Sequence, residues 1–255
     1  MEYKKIVKGR FIERPNRFVA LVDIKGEGEV KVHVKNTGRC RELLVPGATV
    51  YLEDFIDCLG SRKMRYSLVG VEKGLEQSEN DTYKRQAIGD GNSQARILMV
   101  NMDSQAPNKV LQEALEKWKA LPNLKGEIAL IKPEQKYGNS RFDFYVETAQ
   151  ERAYIEVKGV TLEHGGLALF PDAPTKRGVK HIHELIEAAG KGYKAYILFV
   201  IQMKGMKSFS PNDETDPEFG KALRMARDAG VNVLAYDCIV TDRELLLDEQ
   251  VPIEL

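Results

Sequence analysis

The stretch RFDFYVETAQERAYIEVKGV, residues 141–160, predicts two strands that pair around a turn. If the hairpin is reflected about the turn between Ala149 and Gln150, residues whose numbers sum to 299 face one another. One face of the hairpin is then apolar and contains Phe142, Phe144, Val146, Ala153, Ile155 and Val157. The opposite face contains Arg141, Asp143, Tyr145, Tyr154, Glu156 and Lys158.

This register places two pairs of like charges side by side. Asp143 faces Glu156 with β-carbons roughly 5 Å apart, and Arg141 faces Lys158. Opposed carboxylates repel, so the pair requires either a neutralising cation or a proton held at a raised pKa. Two carboxylates, with no histidine or cysteine at ligand spacing, favour Mg²⁺ or Mn²⁺ over zinc. Lys158 projects on the same face and would orient a metal-bound water or stabilise charge on a phosphorus centre.

The pattern therefore predicts metal-dependent hydrolysis of a phosphodiester. The simpler alternative is a charged strand face that is only solvated, since a Glu-x-Lys sequence on a strand is common by chance. The order of elements around the hairpin, a helix, three strands, a helix and a strand, favours the functional interpretation.

Two segments of different periodicity flank a polar stretch. Short alternating runs from Lys8 to about Val71 predict a small β-barrel or sandwich. Residues 74–96 lose periodicity, which is typical of a linker or an insertion. Beyond them the spacing predicts helices over residues 107–121, 175–191 and 216–229, and strands over 127–136, 142–147, 153–161, 195–201 and 231–240. The second segment is therefore α/β.

Composition narrows the class of protein. Hydrophobic content of 43% with 30% charged residues excludes a disordered or collagen-like chain. No apolar run is long enough to span a bilayer, and the N-terminus lacks a signal-peptide pattern, so we expect a cytoplasmic protein without a membrane partner. Lys plus Arg equal Asp plus Glu at 38 each, which counts mildly against nucleic-acid binding. Scattered Cys40, Cys58 and Cys238 indicate buried thiols rather than disulfides or zinc ligands.

Five stretches cover both halves of the chain: NTGR (36–39), EQKYGNSRFDF (134–144), IEVKGVTL (155–162), FPDAPTKRGVKHIHELI (170–186) and GVNVLAY (230–236). Together they resemble the sugar fermentation stimulation protein A family. The resemblance implies two domains: an all-β OB-like barrel over residues 1–84, and an α/β restriction-endonuclease-like domain of the PD-(D/E)xK type over residues 85–255. The second would be a mixed sheet flanked by helices. It also implies nucleic-acid binding, with DNA favoured over RNA.

Carried over residue by residue, the resemblance makes Asp143, Glu156 and Lys158 the catalytic set. Phe142 stands where the name of the motif has proline. The additional acid matches Glu134, so the implied Mg²⁺ or Mn²⁺ ligands are Glu134, Asp143 and Glu156. Three other acids remain open for the additional position: Glu113, Glu116 and Glu127.

Basic residues in both segments, together with the polar Asn36, are candidates for contact with nucleic acid. In the barrel these are Arg14, Arg17, Lys35, Asn36, Arg39 and Arg41, and near the start of the second helix they are Lys176, Arg177 and His181, beside Lys180. The structural alternative for the helix start is capping by Thr175 or Asp172. Phe11, Phe18 and Tyr51 are candidates for base stacking, with core packing as the alternative.

These observations predict a nucleic-acid-binding protein that is a metal-dependent nuclease. The alternative is a non-catalytic, regulatory DNA-binding protein that retains a nuclease-like scaffold. A carboxylate-pair glycosidase is a weaker third class, because it leaves Lys158 unexplained. The sequence leaves open the strandedness of the substrate and the oligomeric state.

Overall fold

A computed structural model describes residues 1–36, 38–74, 97–138 and 140–255, which form three sheets and three α-helices. The barrel strands are β1 (Ile6–Asn16), β2 (Val19–Ile24), β3 (Gly28–Val34), β4 (Thr49–Asp54), β5 (Tyr66–Gly74) and β6 (Ile97–Asn101). The later strands are β7 (Leu130–Tyr137), β8 (Ser140–Glu147), β9 (Arg152–Val160), β10 (Leu162–His164), β11 (Leu167–Phe170), β12 (Lys194–Ile201), β13 (Ser208–Pro211), β14 (Asn232–Val240) and β15 (Leu245–Gln250). The helices are α1 (Ala106–Trp118), α2 (Lys176–Gly190) and α3 (Pro217–Asp228).

The N-terminal sheet is a closed barrel. Its strand order is β3-β2-β1-β4-β5-β6, and a parallel pairing of β3 with β5, in which Val32 faces Tyr66, closes the first five strands. Period-2 alternation explains the interior, because Ala20, Val22 and Ile24 on β2 are buried while the residues between them are not. The OB-like prediction is confirmed.

The predicted domain boundary lies between residues 84 and 85. This position, and all of the polar stretch around it except residue 74, lie in residues 75–96, outside the described residues. The first described strand after it, β6, pairs with β5. The barrel sheet therefore takes one strand from beyond the predicted boundary.

The second domain is a mixed six-stranded sheet in the order β15-β14-β12-β9-β8-β7. β9, β12 and β14 are parallel, and the remaining pairs are antiparallel. Leu111 and Leu115 of α1 pack on one face with Ile155, whereas residues of α2 and α3 pack on the other face with Phe199. A mixed sheet flanked by helices confirms the predicted fold class.

The three predicted helices are present within a few residues of their expected bounds. Thr175 caps α2, because its hydroxyl accepts a hydrogen bond from the backbone N–H of Gly178 at 3.0 Å. Asp216 caps α3 in the same way. Not predicted are β1, β6, the small sheet β10-β11-β13, and the edge strand β15, which forms from the acidic run near the C-terminus.

The two domains share a continuous core. One cluster of buried side chains extends from Phe11 and Leu68 in the barrel to Val160 and Phe199 in the second domain. Within the described residues, no helix is both long and apolar enough to cross a membrane. All three cysteines are free: Cys40 and Cys238 are buried as expected, but the expectation is wrong for Cys58, which lies in an exposed 3₁₀ turn.

Candidate active site

The β8–β9 hairpin has the predicted register, but its pairing ends before the acids. Phe144 faces Ile155 and Tyr145 faces Tyr154, as the sum of 299 requires. The ladder stops there, so neither Asp143 with Glu156 nor Arg141 with Lys158 forms a cross-strand pair. Instead, Oδ2 of Asp143 accepts a hydrogen bond from the backbone N–H of Val157 at 2.7 Å. A side-chain carboxylate thus takes the place of a backbone carbonyl in the ladder.

The break also moves Phe142, and its predicted position is wrong. Phe142 does not share the face of Phe144; its ring centroid lies 5.3 Å from that of Tyr154 and 6.3 Å from that of His181 on α2. The regular alternation of side chains is lost at Asp143, so Phe142 lies on the opposite face from the one the period-2 pattern gives. On the neighbouring strand β7, Glu134 has a φ of +51°, a left-handed conformation that marks the same distortion.

Glu156 is the buried centre of the site. Its Oε1 accepts hydrogen bonds from Nζ of Lys158 and from Nδ1 of His181, each at 2.5 Å. Its Oε2 is buried and has no hydrogen-bond partner among the described residues. Burial favours a raised pKa for Glu156, but the hydrogen bond from His181 and the charge of Lys158 outweigh it and lower that pKa. Glu156 is therefore an ionised carboxylate with one uncommitted oxygen.

Asp143 lies beside it in a partly buried position. Its Oδ1 accepts a hydrogen bond from Nδ2 of Asn108 on α1 at 2.8 Å. Burial and the nearby charge of Glu156 raise the pKa of Asp143. The two acids therefore interact electrostatically, as expected, although they are not opposed in the ladder. Asn108 is part of the site that the sequence did not indicate, since a polar residue near a helix start has no distinctive spacing.

Glu134 lies apart from these acids. Its side chain is 71% exposed, and its carboxylate pairs with the guanidinium of Arg141 at 2.8 Å. The other candidates for the additional position also have other partners: Glu113 pairs with the N-terminal amine, Glu116 accepts from Gln112, and Glu127 pairs with Lys119. Among the described residues, the structure thus brings together Asp143, Glu156 and Lys158, but not a third acid.

The described residues contain one group of three acids whose ligand atoms all lie within 4.8 Å of one another: Asp237, Asp248 and Glu249. Nζ of Lys204 lies 2.7–3.0 Å from all three carboxylates. This single ammonium group offsets one of the three negative charges.

Arg14 shapes the barrel loops rather than presenting a free charge. Its guanidinium donates hydrogen bonds of 2.6–2.9 Å to four backbone carbonyls, those of Arg17, Asn36, Gly38 and Arg39. It therefore ties the turn between β1 and β2 to the loop after β3.

Two further predicted contact residues are engaged within the protein. Lys35 forms ion pairs with Asp103 at 2.8 Å and Glu53 at 3.4 Å. Oδ1 of Asn36 accepts a hydrogen bond from the backbone N–H of Gly38 at 2.8 Å. Like Arg14, both have internal partners that shape or anchor this region.

His181 is also not on the surface. It is 4% exposed, and its Nε2 accepts a hydrogen bond from Nε of Arg177 at 3.4 Å while Nδ1 contacts Glu156. Its place is in the acid cluster.

Five of the predicted contact residues are exposed: Arg17, Arg39, Arg41, Lys176 and Arg177. The guanidinium of Arg17 lies 4.6 Å from the ring of Phe18, which is 44% exposed. Phe11 and Tyr51 are 3% and 4% exposed, so core packing is the correct interpretation for those two aromatics.

A basic groove adjoins the acids. It has a volume of about 610 Å³ and is lined by Lys136, Ser140, Arg141, Lys176, Arg177, Lys180 and His181. Because His181 both lines this groove and contacts Glu156, the groove opens next to the candidate catalytic residues.

Comparisons with known proteins agree with this architecture. The model described as the sugar fermentation stimulation protein RE domain matches residues 105–244, and the SfsA N-terminal OB domain matches residues 12–78. Sugar fermentation stimulation protein homologs from Clostridium beijerinckii and Ruminiclostridium cellulolyticum are 49% and 48% identical, over 100% of this chain and of theirs. The structure of Pyrococcus furiosus SfsA in complex with Ca²⁺ is 29% identical with a TM-score of 0.80, covering 100% of this chain and 98% of that one.

An OB domain in this context suggests nucleic-acid binding, without distinguishing DNA from RNA. On the strength of both domain matches and full-length relatives, the chain belongs to the sugar fermentation stimulation protein family.

Proposed function

We propose that the protein binds nucleic acid, DNA in preference to RNA, and hydrolyses its phosphodiester bonds with a divalent metal ion. The observation that carries the proposal is the pair of interacting carboxylates, Asp143 and Glu156, at the point where β8 and β9 part. A structural role alone does not require two acids to be held together against their repulsion.

The donor atoms fit a hard cation. Oε2 of Glu156 is buried without a partner among the described residues, and an unpaired buried carboxylate oxygen is costly unless something binds it. Asp143 and Glu156 would hold Mg²⁺ or Mn²⁺, which prefer oxygen ligands. The Pyrococcus furiosus SfsA structure is a complex with Ca²⁺, so that relative binds a hard divalent ion, which supports the proposal. Such an ion would supply an activated water and a Lewis acid for the phosphoryl oxygen.

The neighbouring residues have complementary roles in this proposal. Lys158 neutralises Glu156 and presents its ammonium group where charge develops on the phosphorus centre. His181 fixes the orientation of the Glu156 carboxylate, and Asn108 fixes that of Asp143. The basic groove holds the phosphates that adjoin the scissile bond. Glu134 joins the ligands only if its ion pair with Arg141 opens.

One observation favours a non-catalytic DNA-binding protein instead. Lys158 and His181 both direct a hydrogen bond to the same oxygen of Glu156, and the third acid lies outside the cluster. In that alternative the ion pairs replace the metal, and the domain serves as a binding scaffold.

Cleavage of labelled single- and double-stranded DNA and RNA, with Mg²⁺, Mn²⁺ or EDTA, separates the two functions. We expect metal-dependent cleavage by the wild type, with a loss of about 100-fold or more in Asp143→Asn and Lys158→Ala. Asp228→Asn, at an exposed aspartate at the end of α3, is the matched control and retains activity. Binding without cleavage under every condition would instead establish the scaffold.

A further inference from the structure

A second, smaller pocket lies at the junction of the two domains and has no part in the proposed chemistry. It has a volume of about 120 Å³ and is lined by Asn36, Ser104, Gly159, Thr161, Leu162, Leu169, Phe170, Asp172 and Gln202. Gly159 directly follows Lys158 on β9, so the pocket begins beside the candidate catalytic strand end. Three residues along a strand span roughly 10 Å, which is the distance from Glu156 to Gly159.

Two of the polar side chains that line this pocket, Gln202 and Asp172, present acceptor oxygens. Nε2 of Gln202 donates to Oδ1 of Asn101 and to the carbonyl of Asp103, which leaves Oε1 as the atom that faces Gly159. Within the described residues, neither Oε1 of Gln202 nor the carboxylate of Asp172 has a hydrogen bond or ion pair. The pocket therefore offers a carboxylate and an amide oxygen to a ligand with N–H groups.

Two glycines make room for these acceptors. A β-carbon at Gly159 would lie 2.6 Å from Oε1 of Gln202, and one at Gly38 would lie 2.6 Å from Oδ2 of Asp172. Any other residue at either position would displace the acceptor. The backbone therefore approaches both acceptors closely, with Gln202 buried and Asp172 exposed.

Charge and size decide what the pocket takes. A phosphate is disfavoured because Asp172 would repel it, whereas the basic groove next to the acids attracts one. A volume of about 120 Å³ corresponds to about four waters at roughly 30 Å³ each, about the size of one heterocyclic base. Phe170, Leu162 and Leu169 provide an apolar wall, and a carboxylate accepts hydrogen bonds from base amino groups.

We infer that this junction pocket binds one unpaired nucleobase of the strand whose phosphates lie along the basic groove. The inference rests on the proposed function and extends it, because a base reaches the pocket only when it is free of its complement. The substrate is therefore a nucleic acid with a single-stranded segment next to the scissile phosphate.

The test uses single-stranded oligonucleotides with 2-aminopurine at successive positions, bound to the full-length protein in EDTA so that the strand is not cut. The fluorescence of 2-aminopurine rises when the base leaves the stack. We expect one position to show a distinct rise, and Asp172→Ala to remove it and weaken binding roughly fivefold or more. Electrostatics alone predicts the opposite sign, because removing a negative charge tightens binding to a polyanion.

Asp172 is exposed and without a partner among the described residues, so Asp172→Ala should fold normally, as a thermal melt will show. Asp228→Ala is the matched control and should keep the fluorescence maximum. A flat fluorescence profile, or a fluorescence maximum that is unchanged in Asp172→Ala, would overturn the inference that the pocket binds a base. Either result would leave the nuclease proposal intact. Failure to bind any oligonucleotide, with or without metal, would overturn both.

Discussion

Replacing Arg14 by alanine should destabilise the protein, although sequence reasoning places this residue on the nucleic-acid surface. Two of its four hydrogen bonds, to the carbonyls of Asn36 and Gly38, are partly buried, and two are exposed. A hydrogen bond to a charged group contributes about 1.5–3 kcal/mol when buried and much less when exposed. The buried Nε of Arg14 has no partner among the described residues, which offsets part of the gain. We expect Arg14→Ala to lower the free energy of unfolding by about 2–3 kcal/mol.

Thermal unfolding followed by circular dichroism measures this loss. Because the barrel and the second domain share one core, they should unfold together, and a loss of this size lowers Tm by about 4–12 °C. Arg14→Lys should recover little, since a lysine cannot reach four carbonyls at once. Arg39→Ala is the matched control: its side chain is exposed, so Tm should stay within about 2 °C while DNA affinity and its salt dependence both fall.

The opposite pattern would refute this assignment. If Arg14→Ala melts like the wild type but binds DNA more weakly with a smaller salt slope, its guanidinium contacts phosphate and the four carbonyl bonds do not stabilise the fold. Loss of both stability and binding would agree with a structural role for Arg14, because the loop that presents Arg39 is held by the hydrogen bond from Arg14.

Three further outcomes are expected. Hydrogen bonds from Arg65 lower the pKa of Asp54 from 3.8 to about 2, so this pair stabilises the fold above about pH 4 and is lost as pH falls towards 2. Asp54→Asn should lower the free energy of unfolding by on the order of 2 kcal/mol at pH 7. In melts from pH 2 to 7, its stability should also fall less at acid pH than that of the wild type. Glu134→Ala should leave Mg²⁺ affinity, measured by calorimetry, within about twofold, whereas Asp143→Asn should reduce it more than about tenfold; equal losses would place Glu134 among the ligands. Phe18→Ala should weaken single-stranded DNA binding about fivefold without a change in Tm, and unaltered binding would remove the ring from the surface.

The hairpin at the site could be predicted as far as Phe144 because period-2 alternation and a short turn leave one register that buries the apolar face. Beyond Phe144 the prediction fails for a definite reason. The carboxylate of Asp143 competes for the backbone N–H of Val157, and a sequence pattern does not show which acceptor wins. The break reverses the face of Phe142 and separates the acids that the ideal ladder would oppose.

The basic residues show a different limit of sequence reasoning. A positively charged side chain is expected to bind an anion or a carbonyl dipole, but the sequence does not show whether that partner lies within the protein or on a ligand. Arg14 donates hydrogen bonds to backbone carbonyls and Lys35 forms an ion pair with Asp103, whereas Arg39 remains exposed. Distinguishing them requires the closure of the barrel, which brings residues 14, 17, 36, 38 and 39 together through pairings distant in sequence.

The difference between charges paired within the protein and charges left exposed also explains how a chain with no net charge can bind a polyanion. Equal numbers of acids and bases, 38 each, give no net attraction. In the fold, however, several acids have a basic partner close by: Asp103 pairs with Lys35, and the three acids around Lys204 share that lysine. Lys176 and Arg177 remain exposed beside the groove, without an acidic partner in the described structure. Attraction for phosphate is therefore local to the groove, and binding should weaken steeply with salt despite the neutral total.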